Sequence, residues 1–137
     1  MAIYRCAECG ALNRAGPAPA QCASCRRPLD TSGVPQAVDA AALVSAIRSS
    51  PAPVLVDFST SGDALPGIAG VARAEAGRLV VLQVDPQREP AAVEAFSIAE
   101  RHTLVLFRRG SEVARRSDAD AIAEVERWLH ADAVEAG

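Results

Sequence analysis

The chain has 137 residues and a formal net charge of −3, and half of its residues are hydrophobic. This length suits one ordinary domain with a small appendage, and the composition excludes a wholly disordered or fibrous protein. No apolar run approaches the roughly 20 residues of a bilayer span, so we expect no membrane partner. The first residues lack the basic start and apolar core of a secretory signal, which predicts a cytoplasmic protein.

The cysteines are the first chemical feature along the chain. All four fall within the first 25 residues, as two Cys-x-x-Cys pairs that are 12 residues apart: Cys6, Cys9, Cys22 and Cys25. Disulfides are not expected in a reducing compartment, whereas two such pairs can place four thiolates tetrahedrally around one ion. We therefore expect these cysteines to hold one structural Zn²⁺. A redox-active thiol pair and an iron centre are the alternatives.

The segment between the two pairs predicts how the metal site folds. Residues 11–21 are rich in proline and glycine and are too few for a helix, which favours a zinc ribbon of short hairpins over residues 1–30. Metal binding then supplies the folding energy, roughly 10–16 kcal/mol in small zinc peptides. Residues 1–30 carry four arginines and two acidic residues. Four thiolates around Zn²⁺ would carry a net charge of about −2, which cancels this positive excess. No basic stripe is present, so a nucleic-acid partner is not expected.

After the ribbon the chain alternates between strand and helix patterns. The segment Val34–Val38 is a short candidate edge strand, and Asp39 is a candidate N-cap for a helix over residues 40–49. Prolines end that helix, and the apolar run Val54–Phe58 predicts a strand. A weaker helix is predicted over about residues 64–76.

The second half continues the alternation. The continuous apolar run Leu79–Val84 is typical of a strand that is covered on both faces. A short helix over residues 90–96 precedes a hairpin of residues 103–107 and Glu112–Arg116. The last helix is predicted to begin near Asp118, with its apolar residues on one face. The order β-α-β-α-β-α-β-β-α predicts an α/β domain over residues 31–137: a mixed sheet flanked by helices on both faces.

Taken together, the cysteine pairs and the strand order resemble the zinc-ribbon thioredoxins of bacteria, the thioredoxin 2 family. The resemblance covers nearly the whole chain and implies a thioredoxin-like sheet behind an N-terminal zinc ribbon with four cysteine ligands. The segments that carry it are Asn13-Arg14, Pro28-Leu29, Val54–Phe58, Gln83-Val84-Asp85, Phe96-Ser97-Ile98, Thr103–Phe107 and Gly110.

The chain departs from this family at the active site. The family follows its Asp-Phe strand with a W-C-G-P-C motif, whose first thiolate attacks a disulfide; here residues 59–66 contain no cysteine. The family's cis-proline is also replaced, by Arg101-His102-Thr103, where we expect a trans peptide. The resemblance therefore implies that disulfide exchange is lost. The altered groove is a candidate partner contact, formed by Ser61, Gly62, Asp63, Arg101 and His102.

Asp57 is a further residue with a role in the family, where a buried aspartate assists proton transfer at the second cysteine. Without that cysteine Asp57 has no such role, and we expect its carboxylate, at the end of a strand, to accept hydrogen bonds from nearby donors. A new acid–base site of Asp57, Asp63 and His102 is an alternative. We expect a redox-inactive protein-protein interaction module and not an enzyme. The alternative function is a thiol–disulfide oxidoreductase or redox sensor that uses the ribbon cysteines.

Overall fold

The computed structural model describes residues 2–15, 21–60, 67–99, 103–117 and 121–136. The N-terminal part is a hairpin in which β1 (Ala2–Arg5) pairs antiparallel with β2 (Leu12–Ala15). A second turn is closed by an isolated bridge between Gln21 and Pro28. Within the described residues the cysteine-bearing part thus consists of short hairpins, as the proline-rich spacing predicted.

A five-stranded mixed sheet forms the centre of the molecule. Its strands are β3 (Gln36–Ala37), β4 (Val54–Phe58), β5 (Val80–Val84), β6 (Thr103–Arg108) and β7 (Ser111–Arg116), in the order β3-β5-β4-β6-β7. The first three run parallel, and β6 and β7 are antiparallel to their neighbours. The helices between them supply the crossovers that parallel strands require.

In the part of the chain that the structure describes, four helices cover this sheet: α1 (Ala40–Ser49), α2 (Ile68–Ala74), α3 (Pro90–Ala95) and α4 (Ala121–Ala136). Successive side chains of a strand point to opposite faces, so Val54, Val56 and Phe58 pack in the cluster of α1 and α3. Leu55 packs in the cluster of α2 and α4 on the other face. The predicted α/β architecture, with helices on both faces of a mixed sheet, is confirmed.

Element ends differ from the predictions at a few points. The edge strand contracts to Gln36–Ala37, and the second helix runs over Ile68–Ala74, while residues 64–66 of its predicted range lie outside the described residues. The predicted start of the last helix near Asp118 lies outside the described residues. The Asp39 cap is confirmed, since its carboxylate accepts a 2.8 Å hydrogen bond from the Ala42 amide. No helix within the described ranges has the length and apolar character that a bilayer crossing needs.

The N-terminal hairpin packs directly against the main sheet. Ile3 is only 6% exposed and belongs to the hydrophobic cluster beneath α1. Its amide donates a 2.9 Å hydrogen bond to the carbonyl of Gly77, just before β5. Gly77 has φ +87°, and a Cβ there would lie 2.9 Å from the side chain of Ala2. A side chain at position 77 would therefore collide with the hairpin.

Candidate metal centre

The first cysteine pair lies in the turn between β1 and β2. The Gly10 amide donates to the Cys6 carbonyl at 2.8 Å, and the Cys6 amide donates to the Ala11 carbonyl at 2.8 Å. Gly10 has φ +81°, a left-handed conformation that glycine adopts without steric cost. The backbone thus folds back so that Cys6 and Cys9 face the same side.

The second pair repeats this geometry with different residues. The Arg26 amide donates to the Cys22 carbonyl at 3.0 Å, and the Cys22 amide donates to the Arg27 carbonyl at 2.8 Å. Arg26 occupies the position of Gly10 and is also left-handed, with φ +66°. A non-glycine residue there costs about 1–2 kcal/mol, so the turn is maintained by its hydrogen bonds and not by local preference.

The two turns bring all four predicted cysteines together. The Sγ atoms of Cys6 and Cys25 are 3.7 Å apart, those of Cys9 and Cys22 are 3.5 Å apart, and all four lie within 4.8 Å of one another. A tetrahedral ion with metal–sulfur bonds of about 2.3 Å needs sulfurs about 3.8 Å apart. The thiols are free and too distant for disulfides. Four sulfurs in this arrangement can hold one metal ion.

The backbone favours thiolates at the first cysteine of each pair. The Cys25 amide, as the largest effect, lowers the pKa of the Cys22 thiol to about 6, and the Cys9 amide lowers the pKa of Cys6. Hydrogen bonds to a charged sulfur stabilise the charged form. Two of the four ligands are therefore prepared to bind a cation.

The second cysteine of each pair has the opposite tendency. The Ala11 amide acts to lower the pKa of Cys9, but the hydrogen bond with Cys22 and desolvation raise it to about 11. The pKa of Cys25 is also raised: the Arg27 amide acts to lower it, but desolvation and the hydrogen bonds with Cys6 and Cys22 outweigh that effect. Without a metal these thiols retain their protons, and a bound cation would displace them.

Asn13 is a metal-site residue whose function the sequence did not reveal. It is buried on β2, and its Oδ1 accepts a 2.9 Å hydrogen bond from the Ala23 amide of the second turn. Its Nδ2 donates to the Ala11 carbonyl at 3.1 Å and lies 3.6 Å from the Cys22 sulfur. One side chain thus ties the two turns together. The sequence contained two signals: a polar residue between the cysteine pairs, and the place of Asn13-Arg14 in the family resemblance.

The other predicted site, the altered groove, lies outside the described residues: Ser61, Gly62, Asp63, Arg101 and His102. The expected trans peptide before His102 lies there too. The flanking residues are described, and Phe58 and Thr103 are direct neighbours across β4 and β6. Both segments of the groove therefore start from adjacent strand ends.

Asp57 sits next to this edge and behaves as the sequence predicted. It is 1% exposed, and the Ser59 hydroxyl donates a hydrogen bond to its carboxylate. Ser59 is itself fully buried. A local donor thus satisfies the strand-end carboxylate, as predicted.

Comparison with known proteins identifies the fold. The chain is similar to a thioredoxin from Fasciola hepatica (22% identity, TM-score 0.56, 64% of this chain and 90% of that one). It is also similar to a cysteine-to-serine mutant of a thioredoxin from Entamoeba histolytica (16% identity, TM-score 0.61, 72% of this chain and 98% of that one). A third similar structure is a thioredoxin from Malassezia sympodialis (16% identity, TM-score 0.62, 74% of this chain and 93% of that one). No family profile and no curated sequence matches the chain. The chain therefore has a thioredoxin-like fold, with its four cysteines clustered as in a zinc ribbon.

Proposed function

We propose that this chain is a divergent zinc-ribbon thioredoxin that has lost disulfide exchange and acts as a protein-protein interaction module. One observation carries the proposal: the four cysteines of the sequence all lie within one cluster of 4.8 Å. A thioredoxin needs two cysteines after the strand that corresponds to β4. Here every cysteine is committed to the N-terminal hairpins, and that position has none.

Zinc is the ion that we propose for the cluster, in a structural role. Four thiolates in tetrahedral spacing are a ligand set for Zn²⁺ or for an iron centre. A closed set of four protein ligands is typical of structural zinc sites. Elemental analysis of protein expressed without added metal separates the two: we expect one zinc per chain and no visible iron–thiolate absorption. One iron per chain would contradict the zinc assignment.

Loss of disulfide exchange is tested by the rate of dithiol-driven insulin reduction. We expect the purified, metal-loaded chain to give the rate of the protein-free blank, because no thiol pair follows β4. A thioredoxin of ordinary sequence serves as the positive control. A rate well above the blank that persists with the metal bound would overturn the proposal.

The partner is proposed to be a protein that contacts the altered groove. Phe58, Ser59 and Thr103, which flank the groove in sequence, are buried in the fold, so the scaffold of the groove persists without its chemistry. The test uses the full chain as bait in native lysate, compared with Arg101→Glu and with Arg14→Glu, an exposed ribbon control. We expect a captured protein to be lost with Arg101→Glu alone. Equal capture by all three chains would contradict a groove partner.

Redox sensing by the same cysteines is the second candidate, and the exposure of Cys9 favours it. Two thiolates would be oxidised to a disulfide by hydrogen peroxide, which takes up two protons and leaves as two waters while the metal is released. The 3.5 Å separation of the Cys9 and Cys22 sulfurs suits such a pair. Reversible zinc release under mild peroxide would support sensing, and stable occupancy under the same treatment would exclude it.

A further inference from the structure

Arg5 occupies a distinctive position among the arginines near the metal cluster. It is the last residue of β1 and directly precedes Cys6. Arg14, Arg26 and Arg27 are exposed, whereas Arg5 is half-buried. Arg27 also has its own partner, since it pairs with Glu8 at 3.1 Å. Among the arginines of residues 1–30, Arg5 is thus the one whose side chain the fold partly buries.

Two hydrogen bonds join Arg5 to the edge of the main sheet. Its Nη1 donates to Gln36 Oε1 at 2.6 Å, and Gln36 Nε2 donates back to the Arg5 carbonyl at 2.9 Å. Gln36 begins β3, which pairs with β5 at Leu82. This reciprocal contact connects two residues that are 31 positions apart in sequence.

The same guanidinium lies against the first cysteine turn. A Cβ built on Gly10 would be 3.1 Å from Arg5 Nη2, so Arg5 fills the space in front of the left-handed residue of that turn. Arg5 also directly precedes Cys6 in the chain, so its positive charge lies beside the turn that carries Cys6 and Cys9. One side chain therefore contacts β3 and the metal-binding turn simultaneously.

One donor of Arg5 is buried without a hydrogen-bond partner among the described residues. Its Nε is buried and makes no hydrogen bond within the part of the chain that the structure describes. A half-buried charge without full hydrogen bonding is costly unless an opposite charge compensates it. Four thiolates around a divalent ion carry a net charge of about −2, which supplies such compensation.

We propose that Arg5 is the counter-charge of the loaded tetrathiolate centre and that its contact with Gln36 couples metal occupancy to the sheet edge at β3. The inference rests on the proposed metal centre and specifies how that centre acts on the thioredoxin-like part. Arg5 is a positioning residue: it binds no metal, but its guanidinium lies against the turn that carries two of the four ligands. Residues that lie outside the ligand sphere in this way typically alter metal affinity 10- to 100-fold.

The consequence for the sheet follows from the residues after Gln36. The Val38 amide donates to the Gln83 carbonyl at 3.0 Å, and Asp39 then caps α1. These residues border a cavity of about 230 Å³ that also includes buried Ser59, at the end of β4. Metal binding is therefore expected to slow amide exchange at Val38, well away from the ligands.

The first test is a Co²⁺ titration against a competing chelator, read from the thiolate-to-cobalt absorption. We expect Arg5→Met to weaken Co²⁺ binding about 10- to 100-fold, and the matched control Arg14→Met to stay within about twofold of wild type. Arg5→Lys keeps the charge and should regain most of the affinity. Equal affinities for Arg5→Met and Arg14→Met, or no recovery with Arg5→Lys, would overturn the inference.

The second test separates the coupling from the charge. Gln36→Ala keeps the charge of Arg5 but removes its link to β3, so this variant should bind Co²⁺ more tightly than Arg5→Met, while metal no longer protects the Val38 amide from hydrogen exchange. Metal-dependent protection of Val38 that survives in Gln36→Ala would overturn the coupling. If the wild-type chain binds no Co²⁺, the proposed metal centre fails with the inference, whereas normal wild-type binding with unaffected variants refutes the inference alone.

Discussion

Ile3 provides the strongest test of whether the cysteine-bearing hairpin and the sheet form one folding unit. It lies on β1, only three residues before Cys6, but its side chain is 6% exposed and packs in the cluster of α1 and α3. Ile3→Ala removes three carbons from that cluster and leaves the metal ligands unchanged. We expect the substitution to destabilise the whole domain and not the ribbon alone.

The magnitude follows from burial. Replacing a buried isoleucine by alanine lowers the free energy of unfolding by about 2–5 kcal/mol. For Ile3, which lies between the N-terminal hairpin and the main sheet, we expect a loss of about 3 kcal/mol. With about 2.1 cal/mol/K of unfolding entropy per residue, that loss lowers Tm by about 10 °C. Trp128 is the single tryptophan and packs on the opposite face of the sheet. Its fluorescence during thermal unfolding therefore reports on a region that Ile3 does not touch.

The control is Val34→Ala, because Val34 is 46% exposed and lies in the connector to β3. Its midpoint should stay within about 2 °C of wild type, as for surface changes generally. The reasoning is refuted if Ile3→Ala leaves the Trp128 transition at the wild-type midpoint. That result would mean that the hairpin folds independently of the sheet.

Four further predictions concern the backbone, a helix cap and the metal site. Gly33→Ala should lower the free energy of unfolding in urea by more than about 2 kcal/mol, because Gly33 has φ +82° and a Cβ would lie 2.4 Å from a backbone carbonyl oxygen. Gly70→Ala is the control: a Cβ there meets open space, so this variant should not be destabilised. Asp39→Ala should cost about 1 kcal/mol through the lost N-cap, whereas Asp39→Asn keeps an acceptor; equal melting of the two variants would refute the capping role. Asn13→Asp replaces a donor to a cluster sulfur by a carboxylate, and we expect Co²⁺ affinity to fall about 10- to 100-fold; unchanged affinity would contradict this role. Lowering the pH should release the metal because protons compete for the thiolates, and a cobalt–thiolate absorption that is constant from about pH 8 to pH 4 would disprove thiolate ligation.

The sequence was most informative where a pattern repeats over several residues. The apolar runs of β4 and β5 both predicted strands, and the longer run of β5 predicted a strand covered on both faces; both strands are buried between helix layers. Asp39 before an amphipathic segment predicted the start of α1 correctly. The spacing of the cysteines predicted their convergence, because two Cys-x-x-Cys turns place sulfurs at reproducible positions.

Contacts between distant segments had no comparable signal. The hydrogen bonds of Arg5 with Gln36 span 31 residues and involve two strands that are four and two residues long. Such short strands show no readable period, and a glutamine gives no indication of its partner. Ile3 lies in the hydrophobic segment Met1-Ala2-Ile3-Tyr4, which indicates burial but not the surface against which the side chain packs. These contacts depend on how the hairpin meets the sheet, which local patterns do not determine.

The most direct test of the central claim is native mass spectrometry of the full chain combined with thiol titration. If the four cysteines hold one zinc and perform no disulfide exchange, the chain carries a single Zn²⁺, and all four thiols react readily only after the metal is removed. A metal-free chain whose thiols all react at once, or one isolated with a stable disulfide under reducing conditions, would contradict the account.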